Sequence, residues 1–239
     1  MILKRGRSAL LFCKEPQMIL DPRLQLAYDL YDRCRVAADI GTDHAYLPIA
    51  LLRGGKCGRM ILTDISPGAL QNARTHIREA SLGDRALLLE GDGLGVLPEK
   101  CEMISLLGMG GKTIRQILLR DSCFLQGASL LLSAHTDLPL VRRAVMEIGY
   151  HLESEEPCRA AGRFYLILRA RPGAEALTDP ELRRGKRLSE SASPALRPWY
   201  RRQAEVLRAK IKGLERADET EAALLQARQD LAYYEEMAD

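Results

Sequence analysis

Between residues 36 and 172 short runs of β-forming residues alternate with longer stretches of helical periodicity, and no other property of the sequence narrows the fold so far. Parallel strands need a long crossover, which a helix supplies, so repeated strand–helix units predict an α/β chain with a mostly parallel sheet and helices on both faces. Strands are predicted at Val36–Ile40, Met60–Asp64, Ala86–Glu90, Met103–Leu107 and Ser129–Ser133, more weakly at His151–Glu155, and again at Phe164–Arg169. Ser66–Leu82 is the clearest helix. Ser66 suits its N-cap, Pro67 its first position, and Leu70, Ala73, Ile77 and Ala80 recur every three or four residues until Gly83-Asp84 stops it. Leu138–Ile148, stopped by Gly149, follows the same logic, and Pro22–Arg33 reads as a short amphipathic helix ahead of the sheet.

After Arg171-Pro172-Gly173 the strand signal ends, and Ser189–Pro198, with three serines and two prolines, reads as a loop. Tyr200, Ala204, Leu207, Ile211 and Leu214, then Leu224, Ala227, Leu231 and Tyr234, step by three and four. They predict two helices turned around Asp218–Thr220 into a coiled-coil-like antiparallel hairpin. The expected division is a sheet domain over 18–173 and a hairpin over 174–239. Residues 1–17 form an N-terminal extension, either a disordered basic arm or a stretch upstream of a true start at Met18.

Composition excludes several classes. The 35 Lys+Arg against 32 Asp+Glu leave a formal charge of only +3, so any basic face must be local. One is visible: Arg183–Lys212 holds ten basic residues against Glu190 and Glu205, a balance of +8, while the second hairpin helix is acidic. No apolar run approaches the roughly 20 residues that span a bilayer. The N-terminus lacks a secretory apolar core. Six cysteines without C-x-x-C or paired histidine spacing point to reduced thiols in a cytoplasmic protein, with neither a zinc site nor a redox motif.

Parallel sheets bind ligands at the carboxyl ends of their strands, near the topological switch point. The residues there are Asp39-Ile40-Gly41-Thr42-Asp43-His44, Asp64-Ile65-Ser66, Gly91-Asp92-Gly93 and Gly108-Met109-Gly110-Gly111. Singly, such turns are ordinary. In register they form a set. A nicotinamide site would want G-x-G-x-x-G to cradle a pyrophosphate, whereas here Gly41 stands alone and Asp43 follows. A carboxylate in that place favours a cationic ligand without phosphates. S-adenosylmethionine fits, with Asp64 for its ribose diol and Asp92 as acceptor for its adenine amine.

The run Asp39-Ile40-Gly41-Thr42-Asp43-His44-Ala45-Tyr46-Leu47-Pro48, with Leu107-Gly108-Met109-Gly110-Gly111 and Ala161-Gly162-Arg163-Phe164-Tyr165, resembles the TrmK family of bacterial tRNA (adenine-N1)-methyltransferases, which modify adenine 22 in the tRNA D-loop. The resemblance runs from about Pro22 to Arg169 and implies a Rossmann-like class I methyltransferase sheet with a C-terminal helical hairpin. It implies a catalytic or base-positioning Asp43, and a cofactor site built from Asp39, Gly41, His44, Asp64, Ile65, Asp92, Gly93, Gly108, Met109 and Gly110. Adenine N1 attacks with an in-plane lone pair, so alignment and a counter-charge for the cationic product are the main needs. Asp43 could supply that charge, accept a proton from the exocyclic amine, or merely cap a helix beginning near His44.

Chemistry on the Watson–Crick edge requires an unpaired adenine, hence recognition of a folded RNA. The first hairpin helix, with Arg197, Arg201, Arg202 and Arg208 and with Trp199 and Tyr200 at its start, is the expected second tRNA contact, the alternative being a solvated charged face. His76, His135 and His151 read as surface or structural residues, and Phe164 and Tyr165 as core. Tyr46 either stacks on a base or packs beneath its loop. No membrane or metal partner is expected, and the chain is expected to work as a monomer or weak homodimer. Rival readings keep the cofactor but place the methyl group on a protein or small molecule, or retain only RNA binding on a vestigial cofactor fold.

Overall fold

The computed structural model describes residues 19–217 and 220–239; the expected extension at 1–17, the start at Met18 and the Asp218 end of the hairpin turn lie outside them. In chain order the elements are α1 (Pro22–Leu30), β1 (Cys34–Ile40), α2 (Tyr46–Arg53), β2 (Cys57–Asp64), α3 (Pro67–Glu79), β3 (Ala86–Glu90), β4 (Met103–Met109), α4 (Gly111–Arg120), β5 (Ser129–Ala134), α5 (Leu138–Glu147), β6 (Tyr150–Ala160), β7 (Arg163–Pro172), α6 (Asp179–Arg184), α7 (Leu196–Arg216) and α8 (Glu221–Ala238). The strands form one seven-stranded sheet in the order β3-β2-β1-β4-β5-β7-β6. β1 to β5 run parallel, and β7 lies antiparallel to both β5 and β6. The chain winds outward from β1 through β2 and β3, then returns to β4 on the other side, so the crevice opens at the carboxyl ends of β1 and β4.

Local signals account for most boundaries. Ser66 caps α3 by accepting from the Ala69 amide, with Pro67 in the first turn. α1 ends earlier than its periodicity suggests, because Tyr31 turns extended and buries its ring, 2% exposed. α2 is capped by Ala45 in the left-handed region at φ 57°, with no side-chain cap bond. The helix therefore begins two residues beyond His44, and Asp43 does not cap it, which removes the capping alternative. The weakly signalled strand is the longest, at 11 residues. Its run of glutamates hides its character, since Glu155 is fully buried and satisfied by tertiary partners.

Alternate residues of β1 feed opposite faces of the sheet. Ala37 joins a cluster with α2 and α3 residues such as Leu51, Leu52 and Ile77. Val36, Ala38 and Ile40 join a larger cluster with Ile104, Leu130 and Val145 that also takes in Trp199, Tyr200, Ala204, Tyr234 and Ala238 from the hairpin. Trp199 and Tyr200 are 6% and 0% exposed. They are core residues, which removes them from the tRNA contact expected of this helix: the apolar stripe of α7 requires them against the sheet, and a buried ring cannot meet an RNA base.

Polar contacts complete the junction. The buried Glu155 carboxylate accepts from Arg142 Nε at 2.7 Å and from the Arg187 amide at 2.9 Å. Arg142 Nη1 donates onward to the Leu182 carbonyl at 2.8 Å. Arg183 and Arg184 donate to the two oxygens of Asp230 on α8, at 2.7 and 2.6 Å. The segment around α6 is thus strapped to the sheet at one end and to the hairpin at the other. Among the described residues no helix is long and apolar enough to cross a membrane.

Candidate active site

The loop after β1 is held from below. Asp39 is buried and accepts from Ser105 Oγ at 2.6 Å, and burial raises its carboxyl above the usual carboxylate range against the lowering effect of that bond. Asp39 therefore organises the end of β1 from inside the sheet. Gly41 takes the left-handed conformation at φ 75°, and the amides of Gly41 and Thr42 both donate to the Thr63 carbonyl at 2.7 and 3.0 Å. This fold-back delivers Asp43 and His44 to the surface. The Asp43 side chain is 66% exposed, and its Oδ2 lies 3.2 Å from His44 Nε2. His44, Tyr46 and His76 have ring centroids 5.3 to 5.6 Å apart, and His76 Nδ1 donates to the His44 carbonyl at 2.9 Å. His76 is thus a fastener of this loop, and Tyr46, 43% exposed, stands outside the core rather than beneath the loop.

At the end of β2, Asp64 Oδ1 accepts from the Ser66 amide at 2.8 Å, and Oδ2 has no partner among the described residues. Ile65 beside it is 70% exposed. The loop after β3 is built by two residues the sequence reading missed, Arg120 and Asp121 at the end of α4. Arg120 Nη1 donates to Asp92 Oδ2 at 2.7 Å, and Nη2 to the Asp92 carbonyl at 2.9 Å. Asp121 Oδ2 accepts from the Leu94 amide at 2.8 Å, and the Arg120 guanidinium holds the Asp121 carboxyl below its usual range. Gly93, at φ 78°, lies against both side chains, so a Cβ there would overlap them. From sequence alone, Arg120-Asp121 looks like the ordinary polar end of an amphipathic helix.

At the end of β4 the pairing with β5 shifts register between Leu107 and Met109. Gly108 occupies the shift at φ 82°, with Arg23 and His135 around it. The Met109 side chain covers Gly41, so the β1 loop and the β4 end touch directly. Gly110 is the N-cap of α4. A Cβ on buried Gly111 would come within 2.8 Å of the Asp137 carbonyl, which explains the second glycine of the pair. Tyr165 is half-buried rather than core, with its ring edge-on to His135 and the Arg23 guanidinium 5.1 Å from its centroid.

The four hairpin arginines are all exposed. Arg201 donates to the Ala238 carbonyl at 3.5 Å, Arg202 pairs with Glu205 at 2.9 Å, and Arg208 pairs with Glu235 of α8 at 2.6 Å. A cavity of about 1230 Å³ lies between the ends of β5 and β7 and the hairpin; Arg201 and Arg202 line it, whereas Arg197 and Arg208 do not. The acidic face of α8 and Asp230 thus absorb part of the local charge seen in the sequence.

The methyltransferase domain family matches residues 20–168. A tRNA (adenine(22)-N(1))-methyltransferase of Bacillus subtilis is 30% identical over 159 residues, 66% of this chain and 67% of that protein. The crystal structure of the B. subtilis m1A22 tRNA methyltransferase TrmK superposes with a TM-score of 0.80 at 24% identity, covering 92% of this chain and 99% of that one. M. capricolum TrmK, in complex with the cofactor product S-adenosyl-homocysteine, gives 0.77 at 19% identity over 93% and 99% of the two chains. The domain match covers most of the sheet and the curated relative is matched over two thirds of its length, and the protein belongs to the family of tRNA (adenine(22)-N(1))-methyltransferases.

Proposed function

We propose that this protein transfers a methyl group from S-adenosylmethionine to N1 of adenine 22 in tRNA, producing 1-methyladenine. The observation that carries the reading is the placement of Asp43, Asp64 and Asp92 at the carboxyl ends of three neighbouring parallel strands beside the switch point, where family membership expects the cofactor.

The residues present fit that cofactor. Asp64 has one oxygen tied to its own turn and one uncommitted, suited to a diol, with exposed Ile65 offering an apolar face alongside. Asp92 keeps Oδ1 available while Arg120 fixes the rest of its carboxylate. Gly41 and Gly93 supply backbone shapes that side chains would obstruct. Gly108, Met109 and Gly110 line the opposite wall, and His44 sits at the rim. When bound, S-adenosylmethionine supplies an electrophilic methyl group on a cationic sulfur. Asp43 stands beside the reacting base as a counter-charge, steadied by His44, and balances the charge that develops as N1 is alkylated. Exposed Arg197, Arg201, Arg202 and Arg208 bind tRNA phosphates. We assign residues 18–173 to catalysis and 174–239 to the hairpin, in a cytoplasmic protein acting as a monomer or weak homodimer.

Mass spectrometry of nucleosides from an unmodified tRNA transcript incubated with enzyme and cofactor tests the reading. One 1-methyladenine per tRNA, lost when adenine 22 is replaced by guanine, is the expected result. Methylation of protein or small molecules with none on tRNA would overturn it.

A further inference from the structure

Arg23 is a cation to which the cofactor contacts proposed above assign no part. It sits in the first turn of α1, partly exposed, and no carboxylate pairs with it among the described residues. Its guanidinium lies over the Tyr165 ring, 5.1 Å from the centroid. A Cβ on Gly108 would be 3.4 Å from Arg23 Nη1 and 3.7 Å from His135 Nε2, so the glycine leaves a gap between those two polar heads. That gap falls at the register shift of β4, on the strand end whose Met109 covers Gly41 of the Asp43 loop. Shifts of this kind re-aim a strand end beside a site.

His135 and Tyr165 also line the cavity that runs to the hairpin. Its lining holds eight Arg and Lys residues against Asp137, Glu205 and Asp230. Arg183 and Arg184 are used up by Asp230, but Arg163 and Lys210 are exposed with no ion pair among the described residues. A track that begins at an unpaired guanidinium beside the methyl-transfer centre and continues through free cations suits a polyanionic backbone. A planar guanidinium stacked on an aromatic ring keeps its edge donors free for bidentate contact with a phosphate.

Resting on the functional reading above, we propose that Arg23, supported by Tyr165, binds the phosphate of the nucleotide being methylated, and that the cavity beyond it carries the adjoining RNA backbone toward the hairpin. Arg23 is then a positioning residue for the target adenine, outside the chemistry itself.

The test uses the full chain and an unmodified tRNA transcript, with affinity read by filter binding across salt concentrations and S-adenosylmethionine affinity read by calorimetry. Arg23→Gln should weaken tRNA binding about tenfold or more, the scale of a lost charge-assisted contact, and should reduce the salt slope by about one. Cofactor affinity and melting temperature should stay unchanged. Arg23→Lys, which keeps charge but loses the fork, should fall between. Tyr165→Leu should weaken tRNA while Tyr165→Phe restores it. A folded Arg23→Gln protein with wild-type tRNA affinity and salt slope overturns the assignment even if the wild type methylates adenine 22. A wild-type chain that neither binds nor methylates tRNA overturns the functional reading and this inference together.

Discussion

Replacing Asp43 by asparagine removes one negative charge while nearly preserving shape, which makes it the sharpest probe of the proposed chemistry. The size of the effect follows from the surroundings. A unit charge about 4 Å from the carboxylate interacts by about 1 kcal/mol in bulk water and about 4 kcal/mol at the effective dielectric near a protein surface. With its side chain 66% exposed, Asp43 starts near the first limit in the free chain. Docked RNA displaces water and moves it toward the second. Since the charge on adenine appears only as the methyl group transfers, the difference falls on kcat. A loss of about 10²–10³-fold is expected, the scale of removing one preorganised electrostatic partner. Stability should barely change for Asp43→Asn or Asp43→Ala, because Ala45, not Asp43, occupies the N-cap of α2. Initial rates of radiolabelled methyl incorporation into tRNA, at saturating cofactor and varied tRNA, provide the assay. An asparagine variant within threefold of wild-type kcat would refute the counter-charge role.

Asp64→Ala should weaken S-adenosylmethionine by about 1–3 kcal/mol in calorimetry, the cost of losing hydrogen bonds to a charged group, and unchanged affinity would exclude it as the ribose ligand. Glu155→Gln leaves the buried Arg142 guanidinium short of its counter-ion and should cost about 3–5 kcal/mol, lowering Tm on the order of 10 °C; a shift under 2 °C in thermal denaturation would show the junction to be solvated. The Asp121 carboxyl is held below its ordinary value of 3.8 chiefly by Arg120. The stability it adds is therefore present above that value and lost as pH falls through the lower, folded one. Acid titration of Asp121→Asn should accordingly show lower stability at neutral pH and a smaller loss on acidification, and parallel curves for the two proteins would contradict the clamp.

Much of this protein is written locally. Strand runs and the three-to-four spacing of apolar residues depend on neighbours a few positions apart, so β1 to β5, α3, α5 and both hairpin helices are legible from the chain alone. The acidic strand ends are legible for the same reason: a residue just after a strand in a parallel sheet must face the crevice, whatever the rest of the chain does. Burial of charge is a different matter. Nothing near Glu155 in sequence announces that Arg142 and the Arg187 amide will satisfy it, so a buried strand reads as a polar one. Trp199 and Tyr200 look like a nucleic-acid platform beside basic residues until the hairpin docks and places them in the sheet's core. Arg120 and Asp121 gain meaning only when the end of α4 meets the loop after β3, and Arg23 only when α1 meets β7 and the shifted end of β4. Periodicity and strand-end position are set by backbone geometry over a few residues. Which charges are neutralised, which rings are covered and which cation is left free depend on pairings between elements far apart in the chain, and only the tertiary structure decides them.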